Sequence, residues 1–257
     1  MRHDIVSIYR TAIAFALACP LLFFIPVAVE LAQHIAEIHG GMYDSMDAAR
    51  ATADDPGRMA WGYAKTLALQ LPGYWFARYM LSRGDAAFAR QLAWPAIGLW
   101  LVLFAANAAQ LWLALFGPSL GQVFDLAGRA AIVVTILAGS ALAIISIYLS
   151  AWVAAWPLGN FAIGPLTSIR IMVGSFWRSL ALLIAGVLPL MAVHYALGLG
   201  AIGLPAWLVW PMMLADAVVV GFLALTMTGA VAAAARYAAG RKGVSLMPPP
   251  TTHPSSA

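Results

Sequence analysis

The chain has 257 residues, 63% of them hydrophobic and 9% charged, with a net charge of +4. A soluble domain carries about 25% charged residues, so a fully water-exposed surface is excluded and lipid is the expected solvent. The few, scattered Lys and Arg exclude a nucleic-acid-binding role. The single cysteine, Cys19, excludes an internal disulfide and any Cys-based zinc cluster.

An all-α, polytopic membrane protein is expected, since about 20 apolar residues are needed to cross the hydrocarbon core as a helix. Five segments meet that requirement: 11–31, 94–116, 130–154, 178–199 and 206–234. The first is long enough to stay as an anchor rather than be cleaved. A weaker segment, 60–81, carries Lys65, Gln70 and a central Pro72-Gly73. It predicts a kinked or locally unwound helix, with Lys65 and Arg78 reaching opposite interfaces.

Charge placement argues for counting that weak segment as a span. With six spans, the N-terminus, 82–93, 155–177 and the C-terminal tail share one side, which holds ten of the fourteen basic residues. The positive-inside rule then predicts cytoplasmic termini and the bacterial inner membrane. Residues 1–242 form one expected transmembrane domain. The tail 243–257, rich in Pro, Ser and Thr, is expected to be disordered.

The first span leads into "VELAQHIAEIHGG", where Glu30, His34 and Glu37 fall on one helical face and His39 lies roughly opposite. The first reading is an amphipathic extension at the outer rim, closed by Gly40-Gly41. The alternative is a half-site for a divalent metal, completed by ligands from another helix. Otherwise no cofactor is expected.

Two uncharged polar residues, Asn107 and Gln110, lie mid-span in the 94–116 segment, the third of the six spans. Small residues Gly139, Ala143, Ser146 and Ser150 in the fourth predict a close helix contact, within the chain or in a homo-oligomer. Further along, "PLGNFAIGPLTSIRIMVGSFWR" (157–178) places Leu166, Ile169, Val173 and Trp177 on one face and Ser168 and Ser175 toward the other. That pattern predicts an amphipathic interfacial helix between the fourth and fifth spans. Its Arg170 and Arg178 are placed to meet anionic headgroups.

The connection Pro157…Gly164…Ser168…Arg170…Gly174-Ser175…Arg178, together with "SIYRTAIAF" near the N-terminus, resembles the YciC-like group of bacterial inner-membrane proteins. That group is related to the membrane part preceding some glycerophosphodiester phosphodiesterase domains. The resemblance implies a polytopic inner-membrane protein and brings no catalytic residues. The soluble phosphodiesterase domain is absent, so that activity is not implied.

His194 and Asp216 complete the candidate set. Asp216 lies eleven residues past Pro205, roughly 16 Å along the helix. A carboxylate so deep costs about 2.5–3.5 kcal/mol to insert, so it is expected to face other helices. Its readings are a structural hydrogen-bonding group or a proton or cation relay, with Lys65, His194, Asn107 and Gln110 as candidate partners; a Lys65–Asp216 pair would account for the lysine in the weak second span. His194 is read as a hydrogen-bonded interior histidine rather than a ligand. Enzyme motifs are absent. The leading functional expectation is a non-enzymatic membrane-organising factor that meets lipid or another membrane protein. A small permease built on Asp216, Lys65 and the broken second span is the alternative. A metal-dependent membrane enzyme using Glu30, His34 and Glu37 is the third.

Overall fold

Prolines and glycines decide where the helices stop. The computed structural model describes residues 1–248, and no strand occurs among them. Thirteen helices follow in chain order: α1 (Arg2–Ala18), α2 (Pro20–His39), α3 (Met46–Ala51), α4 (Pro56–Gln70), α5 (Gly73–Leu81), α6 (Ala86–Arg90), α7 (Trp94–Phe116), α8 (Leu120–Val123), α9 (Gly128–Tyr148), α10 (Ser150–Ala155), α11 (Pro165–Met172), α12 (Phe176–Gly200) and α13 (Ala206–Arg241). Five of them, α2, α7, α9, α12 and α13, are long and apolar enough to cross a membrane.

The 11–31 segment is not one helix. Pro20 lacks a backbone N–H and disfavours the helical conformation at the residue before it. Cys19 accordingly sits at φ −135°, ψ 58°, ending α1, and Pro20 opens α2. The 60–81 segment is likewise divided. The chain breaks at Leu71-Pro72, between α4 and α5, where the Pro-Gly pair predicts a kink. The apolar segment 130–154, fourth when 60–81 is counted, ends its main helix at Tyr148 and resumes as α10 after Leu149.

α13 is the axis of the bundle. Its 36 residues span about 54 Å, and α1, α2, α4, α5, α10, α11 and α12 all pack on it. Its C-terminal half presents Ala232–Ala235, Ala238 and Ala239, all buried, to its neighbours. Such small side chains let helix backbones approach closely. At two positions the approach leaves no room for a Cβ: one on Gly186 would lie 2.8 Å from the Ala230 Cβ, and one on Gly221 would lie 2.9 Å from the Phe23 ring. Phe15 meets Phe76 and Tyr79 edge-on at 5.2 and 5.5 Å, tying α1 to α5.

α7 and α9 stand at the side of this core, with hardly any of their residues fully buried. Gly139, Ala143 and Ser146 are exposed, so the small-residue stripe makes no close helix contact within the chain there; only Ser150 is buried. The amphipathic helix is shorter than the 157–178 pattern predicts. Gly174, at φ 82°, turns the chain between α11 and α12. Its polarity also runs inward. Ser168 is fully buried, accepting from the Trp152 N–H at 3.0 Å and donating to the Tyr148 carbonyl at 2.8 Å, while Leu166 is 73% exposed. In lipid that orientation is the favourable one, because hydroxyls need protein partners and leucines do not.

Of the expected tail, residues 249–257 lie outside the described residues. Residues 245–247 are tied down, their carbonyls accepting from the Asn160 side-chain amide at 3.2–3.4 Å.

Candidate functional site

Glu30, His34 and Glu37 lie within one helical face of α2, as the spacing predicts, but that face is not at the rim. Glu30 is fully buried, His34 3% exposed and Glu37 8% exposed. The reason is tertiary: the face turns toward α13 and α4 instead of toward water. There Asp216 of α13, also fully buried, meets it.

The contacts form a chain. The Glu37 Oε2 lies 3.1 Å from His34 Nδ1. On the other side of the ring, His34 Nε2 lies 2.9 Å from Asp216 Oδ2 and 3.3 Å from Glu30 Oε1. Asp216 in turn receives His194 Nδ1 at 2.8 Å on both oxygens. Carboxylate, imidazole, carboxylate and imidazole thus alternate across three helices.

Two cations and a phenol close the ends. Lys65 of α4 donates to Glu30 Oε1 at 3.1 Å. The expected Lys65–Asp216 pair is therefore replaced by a Lys65–Glu30 pair, and the two histidines take Asp216. Arg58 reaches Glu37 Oε1 at 3.3 Å, and Gln33 donates to the same oxygen at 2.8 Å. The Tyr43 hydroxyl donates to Glu37 Oε2 at 3.0 Å and lies 3.2 Å from His34 Nδ1. Burial, then the adjacent charge of Glu37, raises the Tyr43 hydroxyl above the usual phenol range. Among the described residues, Glu30 Oε2 and Gln33 Oε1, both buried, have no hydrogen-bond partner.

Proton counting constrains the state of this chain. Both ring nitrogens of His34 face carboxylate oxygens, and a carboxylate can only accept unless it carries a proton. Neutral His34 supplies one N–H: with it on Nε2 toward Asp216, Nδ1 can accept from the Tyr43 hydroxyl, whereas a second proton on the imidazole or on a facing carboxylate satisfies the Glu37 contact directly. Charge counting favours the additional proton. Glu30, Glu37 and Asp216 oppose two fixed cations, Lys65 and Arg58, and one proton restores neutrality.

This centre lines a cavity of about 360 Å³. Apolar side chains such as Met42, Leu199 and Ile202 form other parts of its wall, and Met46, Ala49 and Arg50 of the 41–58 segment contribute as well. Local chemistry builds that side. Gly41, at φ 72°, ends α2 and lets the Met42 N–H bond the Glu37 carbonyl at 3.0 Å. Tyr43 is thereby turned back over the imidazole, and its carbonyl accepts from the Gly203 N–H at 2.8 Å.

As donors for a metal, Glu30, His194 and Asp216 present ligand atoms within 4.8 Å of one another, with His34 adjoining. Glu37 is on the opposite side of the His34 ring, held by Gln33, Arg58 and Tyr43.

The other candidates lie elsewhere. Asn107 and Gln110 of α7 line a separate cavity of about 420 Å³ with Gln70 and Trp152. Arg178 is engaged by Asp4 at 2.8 Å and lies 3.8 Å from the Tyr237 ring centroid, whereas Arg170 is exposed. Arg78 does not extend to an interface: it is 2% exposed and donates to the carbonyls of Pro157 at 2.6 Å and Phe88 at 2.8 Å. Arg58 and Tyr43 are the site residues that sequence reasoning missed. Their only sequence signal is proximity to the Glu/His stripe, and neither carries a motif.

Compared with protein-family models, characterised proteins and solved structures, the chain matches none of them.

Proposed function

We propose that this chain is a small six-span permease of the bacterial inner membrane that couples solute passage to proton movement. The observation that carries the reading is the Glu37–His34–Asp216–His194 chain, whose alternating carboxylates and imidazoles can hold and pass a proton and which lines a cavity. Ionisable residues buried among membrane helices are costly, and where they occur they mark ion and proton pathways. The broken α4–α5 segment serves as the sixth span, its Lys65 matched by Glu30. Discontinuous helices of this kind border the binding sites of many transporters. With the basic residues near 82–93 and both ends on one side, the termini are cytoplasmic. The inner-membrane placement also draws on the resemblance to the YciC-like group. Apolar wall and ionic floor together suit a small solute with an apolar body and one charged group.

Reconstitution tests this. Purified protein in liposomes with an imposed pH gradient and an internal pH dye should dissipate the gradient faster than empty liposomes. Asp216→Asn and His34→Gln should each lower that rate at least tenfold. His39→Gln, which alters an exposed residue bonded to its own helix, should leave it unchanged. A wild-type rate equal to that of empty liposomes, with and without candidate solutes, would count against the reading.

A second reading has its own support: the close approach of Glu30, His194 and Asp216 suits a divalent metal of the zinc type. The Lys65 ammonium, 3.1 Å from Glu30 Oε1, competes for one of those oxygens and places this reading second. Any metal-dependent chemistry at the site depends on it. One equivalent of zinc retained through purification, and lost in His194→Ala, would promote it to first.

A further inference from the structure

At the far end of α13 the chain builds a second cavity of about 550 Å³, lined by His3, Ser7 and Arg10 of α1, Tyr79 of α5, Arg83 of the following turn, and Arg236 of α13. Asp216 and Arg236 are twenty residues apart on that helix, roughly 30 Å, so this cavity is separate from the ionic centre. Its three arginines come from three different elements and line one space.

Arg10 and Arg83 are exposed and Arg236 is half-buried, and in pairing the three differ from the chain's buried or interhelical cations. Arg58 and Lys65 are paired with carboxylates, Arg178 with Asp4, and Arg78 and Arg241 with backbone carbonyls. Among the described residues, Arg10, Arg83 and Arg236 form no ion pair, and no carboxylate lines their cavity. The nearest acids in sequence are already engaged: Asp4 by Arg178 and the N-terminal amine, and Asp85 by the Phe88 N–H. Three like charges facing one hollow repel one another unless an anion joins them. Ser7 and Tyr79 add hydroxyl donors to the same wall.

We infer that this cavity binds a phosphate group, whose oxygens take the guanidiniums of Arg10, Arg83 and Arg236. Arginine is the side chain whose planar donor fork fits phosphate oxygens. The phosphate comes either from an anionic lipid headgroup or from a free phosphate or phosphate ester. Both present the same oxyanion to the same three side chains.

The test uses the full chain in nanodiscs. In one arm, discs contain phosphatidylglycerol diluted in phosphatidylcholine, and native mass spectrometry reads which lipid stays bound. In the other, discs contain phosphatidylcholine alone, and inorganic phosphate is titrated by calorimetry. Selective retention of phosphatidylglycerol identifies the headgroup as the source; saturable binding of inorganic phosphate identifies the free anion. In either case Arg10→Gln, Arg236→Gln and Arg83→Gly should each weaken binding about tenfold. Glycine is chosen at 83 because Arg83 sits at φ 62°, a conformation glycine adopts freely. Arg10→Lys and Arg236→Lys keep the charge and should retain part of the binding, which covers the case in which a glutamine variant fails to fold. Arg129→Gln removes an exposed arginine of α9 outside the cavity and should change nothing. Absence of binding in both arms, or an equal loss in Arg129→Gln, would overturn the assignment.

Discussion

His34 and Asp216 are 182 residues apart in the chain and 2.9 Å apart in the structure. The contact joins α2 to α13 at the centre of the buried ionic group, and both side chains are almost wholly withdrawn from solvent. Each would be costly alone; together with Glu37 and His194 each has the partner its hydrogen-bonding groups require.

Removing the central acceptor should therefore affect both fold and proton movement. Asp216→Asn keeps the shape but presents an amide to two imidazoles that now donate to a carboxylate. A loss of about 3 kcal/mol is expected, comparable to breaking a buried charge pair. It should appear as a lower melting temperature in detergent, alongside the loss of proton flux. A variant that melts normally and conducts normally would leave Asp216 without a role.

The Lys65–Glu30 pair allows a cleaner separation. Lys65→Met leaves Glu30 buried with an uncompensated charge, and should destabilise by about 3 kcal/mol. Adding Glu30→Gln removes that charge, and the double variant should recover most of the loss. The quantity to measure is the coupling energy from a four-point thermal-melting cycle. A coupling near zero would mean the two groups do not sense each other.

Tyr43 predicts an alkaline effect. Its hydroxyl is buried and bonded to Glu37, so the folded state favours the neutral phenol. A group whose pKa is raised on folding contributes stability that is present below its unfolded value, ~10 for tyrosine, and lost as pH rises beyond it. Melting temperatures of the wild type should thus fall more steeply between about pH 9 and 11 than those of Tyr43→Phe. At neutral pH the substitution should cost about 1 kcal/mol for the lost hydrogen bonds. Parallel curves would contradict this.

Close helix packing makes Gly186 and Gly221 intolerant of even a methyl group. A Cβ on Gly186 meets Ala230 and the Thr226 carbonyl, and one on Gly221 meets Phe23 and Val27. Backbone and packed rings yield little, so Gly186→Ala and Gly221→Ala should each destabilise by about 1–3 kcal/mol. Gly139→Ala, with open space around it, should be neutral or slightly stabilising for its helix. Thermal melts of the three variants side by side give the comparison.

Composition and apolar run lengths by themselves determined that this is a helical chain with helices able to cross a membrane. The solvent fixes that outcome: in lipid every backbone group must be bonded locally. Pro72-Gly73 marked the break between α4 and α5, and the 3.6-residue period put Glu30, His34 and Glu37 on one face. Which way that face points was not legible. An amphipathic face is compatible with water, with headgroups or with a polar partner helix, and only the packing of α2 on α13 and α4 selects the last. Partner choice was equally out of reach, since Lys65 meets Glu30 rather than Asp216 through the relative rotation of three helices. Arg10, Arg83 and Arg236, individually indistinguishable from any interfacial arginine, share a cavity because distant segments converge at one end of α13. Local propensity acts over a few residues, whereas these contacts span up to most of the chain and exist only once the bundle has closed.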